Sequence, residues 1–201
     1  KDIDPSIEPV FFIPNKEFID VSSSLVKALI GPKYWHYVVG KYVPDVVFKK
    51  LAEKELTTML DKCCVGLSIP MEHILKKYRR KNRRHHTELH ILDMLAELAR
   101  VGVLDSQSLV YATVYHDIED TEEKSADLFS EWTGDYLGDS AFADKVRRLI
   151  MATDHSRSDV DDFSEEEKII HDADLAILSA DPEVYMQYAK NVEMEYRAKG
   201  L

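Results

Sequence analysis

Long apolar runs are absent from this 201-residue chain: no stretch reaches the ~18 residues needed to cross a bilayer. A membrane-spanning role is therefore not expected. Cysteine is nearly absent too. The two present, Cys63 and Cys64, are adjacent, a spacing that rarely closes an unstrained bridge, so a reducing compartment without a disulfide framework is expected. Glycine and proline number 7 each, too few for the many tight turns of a strand-rich fold. A basic excess is also missing: 37 acids against 26 Lys and Arg leave a formal net charge of −11. Such a chain repels phosphate backbones, which disfavours general nucleic-acid binding. The opening residues, KDIDPSIEPVFFIPNKEF, hold acids where a secretory leader carries positive charge, so a cytoplasmic location is expected.

What is there reads as helix. Hydrophobic residues make up 45% of the chain, enough for a sizeable core. Residues 1–16 carry Pro5, Pro9 and Pro14 without any period and read as an extended arm. From 17 to 30, Phe18, Val21, Leu25 and Leu29 recur at helical spacing until Gly31-Pro32. Residues 33–43 are aromatic and fit helix or strand. Pro44 begins a helix that runs towards Gly66, and Pro70 begins another that leads into the basic run KKYRRKNRRHH at 76–86. An amphipathic helix spans 85–101, with Leu89, Leu92, Leu95, Ala96 and Ala99 on one side. Residues 106–117 are almost wholly apolar and read as a buried helix. Helices over about 123–137 and 141–152 follow, with Asp120-Thr121 as the capping turn and Glu122-Glu123 as first-turn acids. Ser164 with Glu167 forms a capping box for a helix through about 179, and Asp181-Pro182 starts the last one. The expected fold is all-α.

Six of the eight histidines, His85, His86, His90, His116, His155 and His171, fall between 85 and 171, each near a carboxylate. His86 and His90 are four apart and are expected to share a helix face. Asp172 and Asp174 lie in the apolar helix IIHDADLAIL, where a carboxylate is costly unless paired or bound to a metal. Imidazole with carboxylate is the ligand set of Zn, Mn, Fe, Co or Ni, with Mg less favoured. His36 and His73 lie outside this group and read as structural residues. The run RRKNRR reads as a solvated face that can also hold a small anion.

The order His86, His116-Asp117, Asp174, each on a different expected helix, resembles the H…HD…D signature of the HD superfamily of metal-dependent phosphohydrolases. In detail the chain resembles the predicted metal-dependent HD phosphohydrolase group, over about 84–197. The blocks that carry the likeness are RHHTELHI at 84–91, YHDIED at 115–120, EEKSA at 122–126, ATDH at 152–155 and DADLAIL at 172–178, followed by Tyr185, Tyr188 and Glu195-Tyr196. HDIEDT also has a likeness, one residue short, to the HDxxEDT stretch of guanosine-tetraphosphate hydrolases.

The resemblance implies an HD-domain helical bundle over 17–201, with its motif-bearing core at 84–197 and an unfamiliar helical region at 17–83. It implies His86, His116, Asp117 and Asp174 as ligands of a divalent ion, with Asp172 competing for the last place, since two Asp two apart on a helix do not face the same way. His90 and His155 then serve as phosphate contacts or hold a second ion, and Arg84 binds a phosphate oxygen. His85 stands where the group usually has Tyr and is given no role. Glu119 or Asp120 orients the attacking water or accepts its proton. The implied activity is hydrolysis of a phosphoester of a small phosphorylated molecule, a nucleotide by preference. A catalytically inactive nucleotide-binding regulatory module and a guanosine-tetraphosphate-type hydrolase are the alternatives. The unfamiliar N-terminal region suits partner binding or homo-oligomer formation.

Overall fold

The computed structural model of the chain describes residues 21–63, 69–137, 140–198 and 200. The expected arm at 1–16, Cys64 and Gly66 lie outside these residues. Among the described residues the fold is all-α, with no strand. The helices are α1 (Ser23–Leu29), α2 (Trp35–Val39), α3 (Asp45–Cys63), α4 (Met71–Tyr78), α5 (Glu88–Arg100), α6 (Gln107–Tyr115), α7 (Glu122–Leu137), α8 (Ser140–Met151), α9 (Glu165–Leu175) and α10 (Pro182–Ala198). No described helix is long and apolar enough to cross a membrane.

The central helix is α6. Every residue from Ser108 to Tyr115 is buried, as its nearly unbroken apolar sequence requires. It packs against α3, α5, α7, α8 and α9. On the α7–α8 side the contact is aromatic: the Tyr115 ring meets Phe129 edge-on at 5.1 Å and Trp132 at 5.9 Å, and Tyr111 meets Phe142 at 6.0 Å. On the other side α5 packs on α3 and α9. One continuous apolar core runs from Trp35 on α2 to Ala173 on α9, so the unfamiliar region before residue 84 shares the core of the motif-bearing part.

Local signals act where the sequence places them. The ambiguous stretch 33–43 contains the short helix α2. Ser164 accepts from the Glu167 amide while Glu167 accepts from the Ser164 amide, closing the capping box of α9. The helical run continues as a 3-10 turn over Ala176–Ser179. Thr121 accepts from the Lys124 amide at 3.3 Å and caps α7. The α5 expectation needs correction at its start and on its buried face, while its end at Arg100, with Val101 as cap, lies where expected. The helix starts at Glu88, with Thr87 as its cap, and its buried face carries Ile91, Met94 and Leu98, whereas Ala99 is exposed.

Candidate metal centre

The turn before α5 is built by two buried charges. Arg83 lies over the Tyr78 ring at 5.1 Å and donates to the carbonyls of His86 at 3.0 Å and Glu119 at 3.4 Å. It thereby joins the turn that carries His86 to the turn that follows α6. Glu195, buried on α10, accepts the consecutive backbone amides of Arg84, His85 and His86 at 2.9, 3.0 and 3.3 Å with one carboxylate oxygen. Its other oxygen accepts the His86 Nδ1–H at 2.8 Å. These bonds take residues 84–86 out of helical geometry. His86 and His90 therefore do not share a helix face as the four-residue spacing suggested: His86 is on the turn and His90 is in the first turn of α5.

The two histidines nevertheless converge. His90 Nε2 lies 3.2 Å from His116 Nε2 and 2.9 Å from Asp174 Oδ1. Asp117 Oδ2 lies 3.1 Å from His116 Nε2 and 3.7 Å from the Nε2 atoms of both His86 and His90. Donor atoms of His90, His116 and Asp117 all fall within 4.8 Å of one another. Ligand atoms about 2.1 Å from a common ion stand roughly 3.0–3.5 Å apart, the spacing seen here. The tautomers agree. His116 Nδ1 donates to the Thr113 carbonyl at 2.9 Å and His86 Nδ1 to Glu195, which leaves each Nε2 lone pair facing the cluster. Lone pairs and carboxylate oxygens this close need positive charge between them, as protons or as a metal ion. The donor set fits a divalent ion.

Without an ion, protons take that place. Burial disfavours a charged His116, but Asp117 and then Asp174 outweigh it and raise its pKa to about 9. Burial likewise opposes charge on Asp117, yet His116 and His86 hold it well below the usual carboxylate range. Asp174 is also depressed: burial works against it and the bonds to His155 and His90 prevail. Burial opposes the charged form of Glu195, and the His86 bond and backbone amides lower its pKa regardless. Burial, and then the neighbouring His90 and His86, push the pKa of His85 well down.

Three of the expected ligands, His116, Asp117 and Asp174, meet with His90. His86 is slightly further out, on Asp117. Asp172 is exposed on the far side of α9, so Asp174 is the carboxylate that reaches the cluster. His155 Nε2 bonds Asp174 Oδ2 at 2.9 Å and stands half-exposed at the solvent edge. Arg84 is exposed, and its guanidinium reaches the Arg83 carbonyl at 3.2 Å. Glu119 and Asp120 are not brought to the cluster. The Glu119 carboxylate is held by Lys77 and, at 3.0 Å, by Arg80, while Asp120 is exposed. His171 donates to the Ala152 carbonyl at 2.8 Å, a structural bond. His36 bonds Asp93 at 2.8 Å and His73 packs edge-on against Trp132, both outside the cluster as expected.

Two residues have a place that sequence reasoning did not assign. Glu195 was visible only as part of a matched block; it is the one buried residue of α10, and no local pattern marks it. His85 packs against the rings of His86, His90 and Tyr188 at 4.8, 4.7 and 4.6 Å.

No family model matches the chain, and no solved structure matches it. A segment of 50 residues, 25% of the chain, is 42% identical to the phosphopantetheine adenylyltransferase of Chromobacterium violaceum, of which it covers 30%. The phosphopantetheine adenylyltransferases of Neisseria meningitidis serogroups C and A match at the same 42% over 50 residues and 29% of their length. The chain thus spans less than a third of the curated relatives it matches, a local similarity to that enzyme.

Proposed function

We propose that this chain is a cytoplasmic metal-dependent phosphohydrolase of the HD type, which cleaves a phosphoester of a small phosphorylated molecule, a nucleotide by preference. The observation that supports it most is the convergence of His90, His116, Asp117 and Asp174, from α5, α9 and the turn that ends α6, into one cluster at coordination spacing. The local likeness to an adenylyltransferase agrees with a nucleotide ligand and goes no further.

A divalent ion bound here would polarise a phosphoryl oxygen and bring the pKa of a coordinated water from 15.7 towards ~7. Mn, Co, Fe, Ni, Zn and Mg are the candidates, and the two imidazoles favour the first-row ions over Mg. The chain's own residues do the rest. His90, His116, Asp117 and Asp174 hold the ion. Thr113 and Glu195 fix the orientation of His116 and His86. His155, whose bond to Asp174 raises its pKa, presents an N–H from the solvent edge to a phosphate oxygen. Arg84, exposed on the turn that carries His86, adds positive charge. Glu119 serves as a tie between α4 and the turn after α6, because Lys77 and Arg80 occupy its carboxylate.

The test is phosphate release from a panel of phosphorylated compounds by the metal-loaded chain and by Asp117→Ala. Turnover in the wild type and its loss in the variant is the expected outcome. Metal bound without turnover on any compound would favour the regulatory-module reading.

A further inference from the structure

The groove between α2 and α10 takes no part in the cluster itself. It encloses about 780 Å³, within the ~300–1,000 Å³ of small-molecule sites. Inward from it lies a chamber of about 40 Å³ bounded by Arg84, His85 and His90. The groove and the chamber share His36, Tyr37, Leu89 and Asn191 as walls. The two spaces therefore abut, and the inner one ends at His90, whose Nε2 lies 2.9 Å from Asp174. Helix α10 runs along both. Glu195 fixes the His86 turn at one end, Asn191 sits one turn earlier, and Val184 lines the groove roughly 16 Å from Glu195 by the rise of a helix.

The groove walls are chemically distinct from the cluster. Tyr37 and Phe48 supply aromatic faces, and Leu89 and Val184 supply apolar wall. Charges at the rim largely cancel: Lys41 pairs with Glu183 at 2.8 Å and Asp45 with Lys49 at 2.7 Å. Lys190 has no ion pair among the described residues. A polyphosphate tail needs several uncompensated cations, and this groove offers one. A flat, uncharged ring system fits it better, stacked on Tyr37 with Lys190 and Asn191 as polar contacts.

We propose that the α2–α10 groove binds the organic group of the substrate, a nucleobase with its sugar, so that the preferred substrates are nucleoside monophosphates, with Tyr37 and Lys190 setting specificity. This rests on the phosphohydrolase reading of the cluster.

Phosphonate analogues of the four nucleoside 5′-monophosphates, in which CH2 replaces the scissile ester oxygen so that they bind without turnover, and inorganic phosphate are titrated calorimetrically into the Mn-loaded full chain, for the wild type, Tyr37→Ala and Lys190→Glu, with metal content measured in each. The expected result is that the wild type binds at least one nucleotide about tenfold more tightly than phosphate, the scale of one base–aromatic stack. Each groove variant loses that margin while phosphate affinity and metal content stay as in the wild type. Lys190 is exposed, so its variant keeps the test sound if Tyr37→Ala folds poorly. Unchanged nucleotide affinity in the variants overturns the proposal, and so does an equal loss of nucleotide and phosphate. A wild type that binds metal and phosphate without preferring any nucleotide overturns the groove assignment alone. A wild type that binds no metal overturns the phosphohydrolase reading with it.

Discussion

At the residue scale, a buried carboxylate that reaches an imidazole differs from one that faces water two positions away. Asp174 bonds His90 and His155, whereas Asp172 is exposed. Asp174→Asn is expected to weaken metal binding strongly and Asp172→Asn to leave it unchanged, as read by titration with a metal-sensitive dye; the reverse order would exchange their assignments. Glu195 lies behind His86, and it fixes both the tautomer of His86 and the turn that carries it. Glu195→Gln should lower metal affinity by about 10–100-fold, the usual cost of losing such a partner, while circular dichroism stays helical. An unchanged affinity would reduce Glu195 to a backbone clamp. Part of this was legible in the sequence: the order of His86, His116-Asp117 and Asp174 contains three of the residues that meet, His116, Asp117 and Asp174. His90 was expected at the site as a phosphate contact or second-ion ligand; what was not legible is that it stands closer to His116 and Asp174 than His86 does, because the Glu195 bonds that bend the His86 turn come from over a hundred residues away.

At the element scale, helices with local start signals were the most legible. Ser164 and Glu167 bond as their spacing implies, and Ser164→Ala should destabilise the chain by about 1 kcal/mol, a fall in melting temperature of roughly 2–4 °C. No shift would mean that α9 is held by tertiary packing alone. Helix α6 was legible from its composition, since a segment apolar on every face has only the interior to occupy. Helix α2 was not: Tyr34, which precedes it, adopts the left-handed region at φ 65°, and contacts with Phe48 on α3 help to place Trp35. Those contacts are set by tertiary packing, which a local pattern does not encode. The start of α5 was misread for the same reason.

At the scale of the whole molecule, the cluster links stability to pH and to metal. In the metal-free chain His116 has its pKa raised to about 9 from ~6.5 when unfolded. Its stabilising contribution is full below ~6.5 and is lost as pH rises towards about 9. The depressed carboxylates Asp117, Asp174 and Glu195 act oppositely, stabilising above ~4 and losing that contribution as pH falls through their lower folded values. A bound ion must displace the His116 proton, so metal affinity should rise with pH up to about 9. Thermal melts with chelator and with Mn should separate increasingly from about pH 6 upwards; a constant separation would contradict this linkage. The central claim, that YHDIED at 115–120 carries metal ligands and does not merely end a helix, is tested most directly by elemental analysis of the purified chain beside Asp117→Ala. One or two equivalents of a first-row ion in the wild type, lost in the variant while its helical spectrum persists, is the predicted result. No ion in either protein after soaking with Mn, Co, Ni or Zn would contradict it.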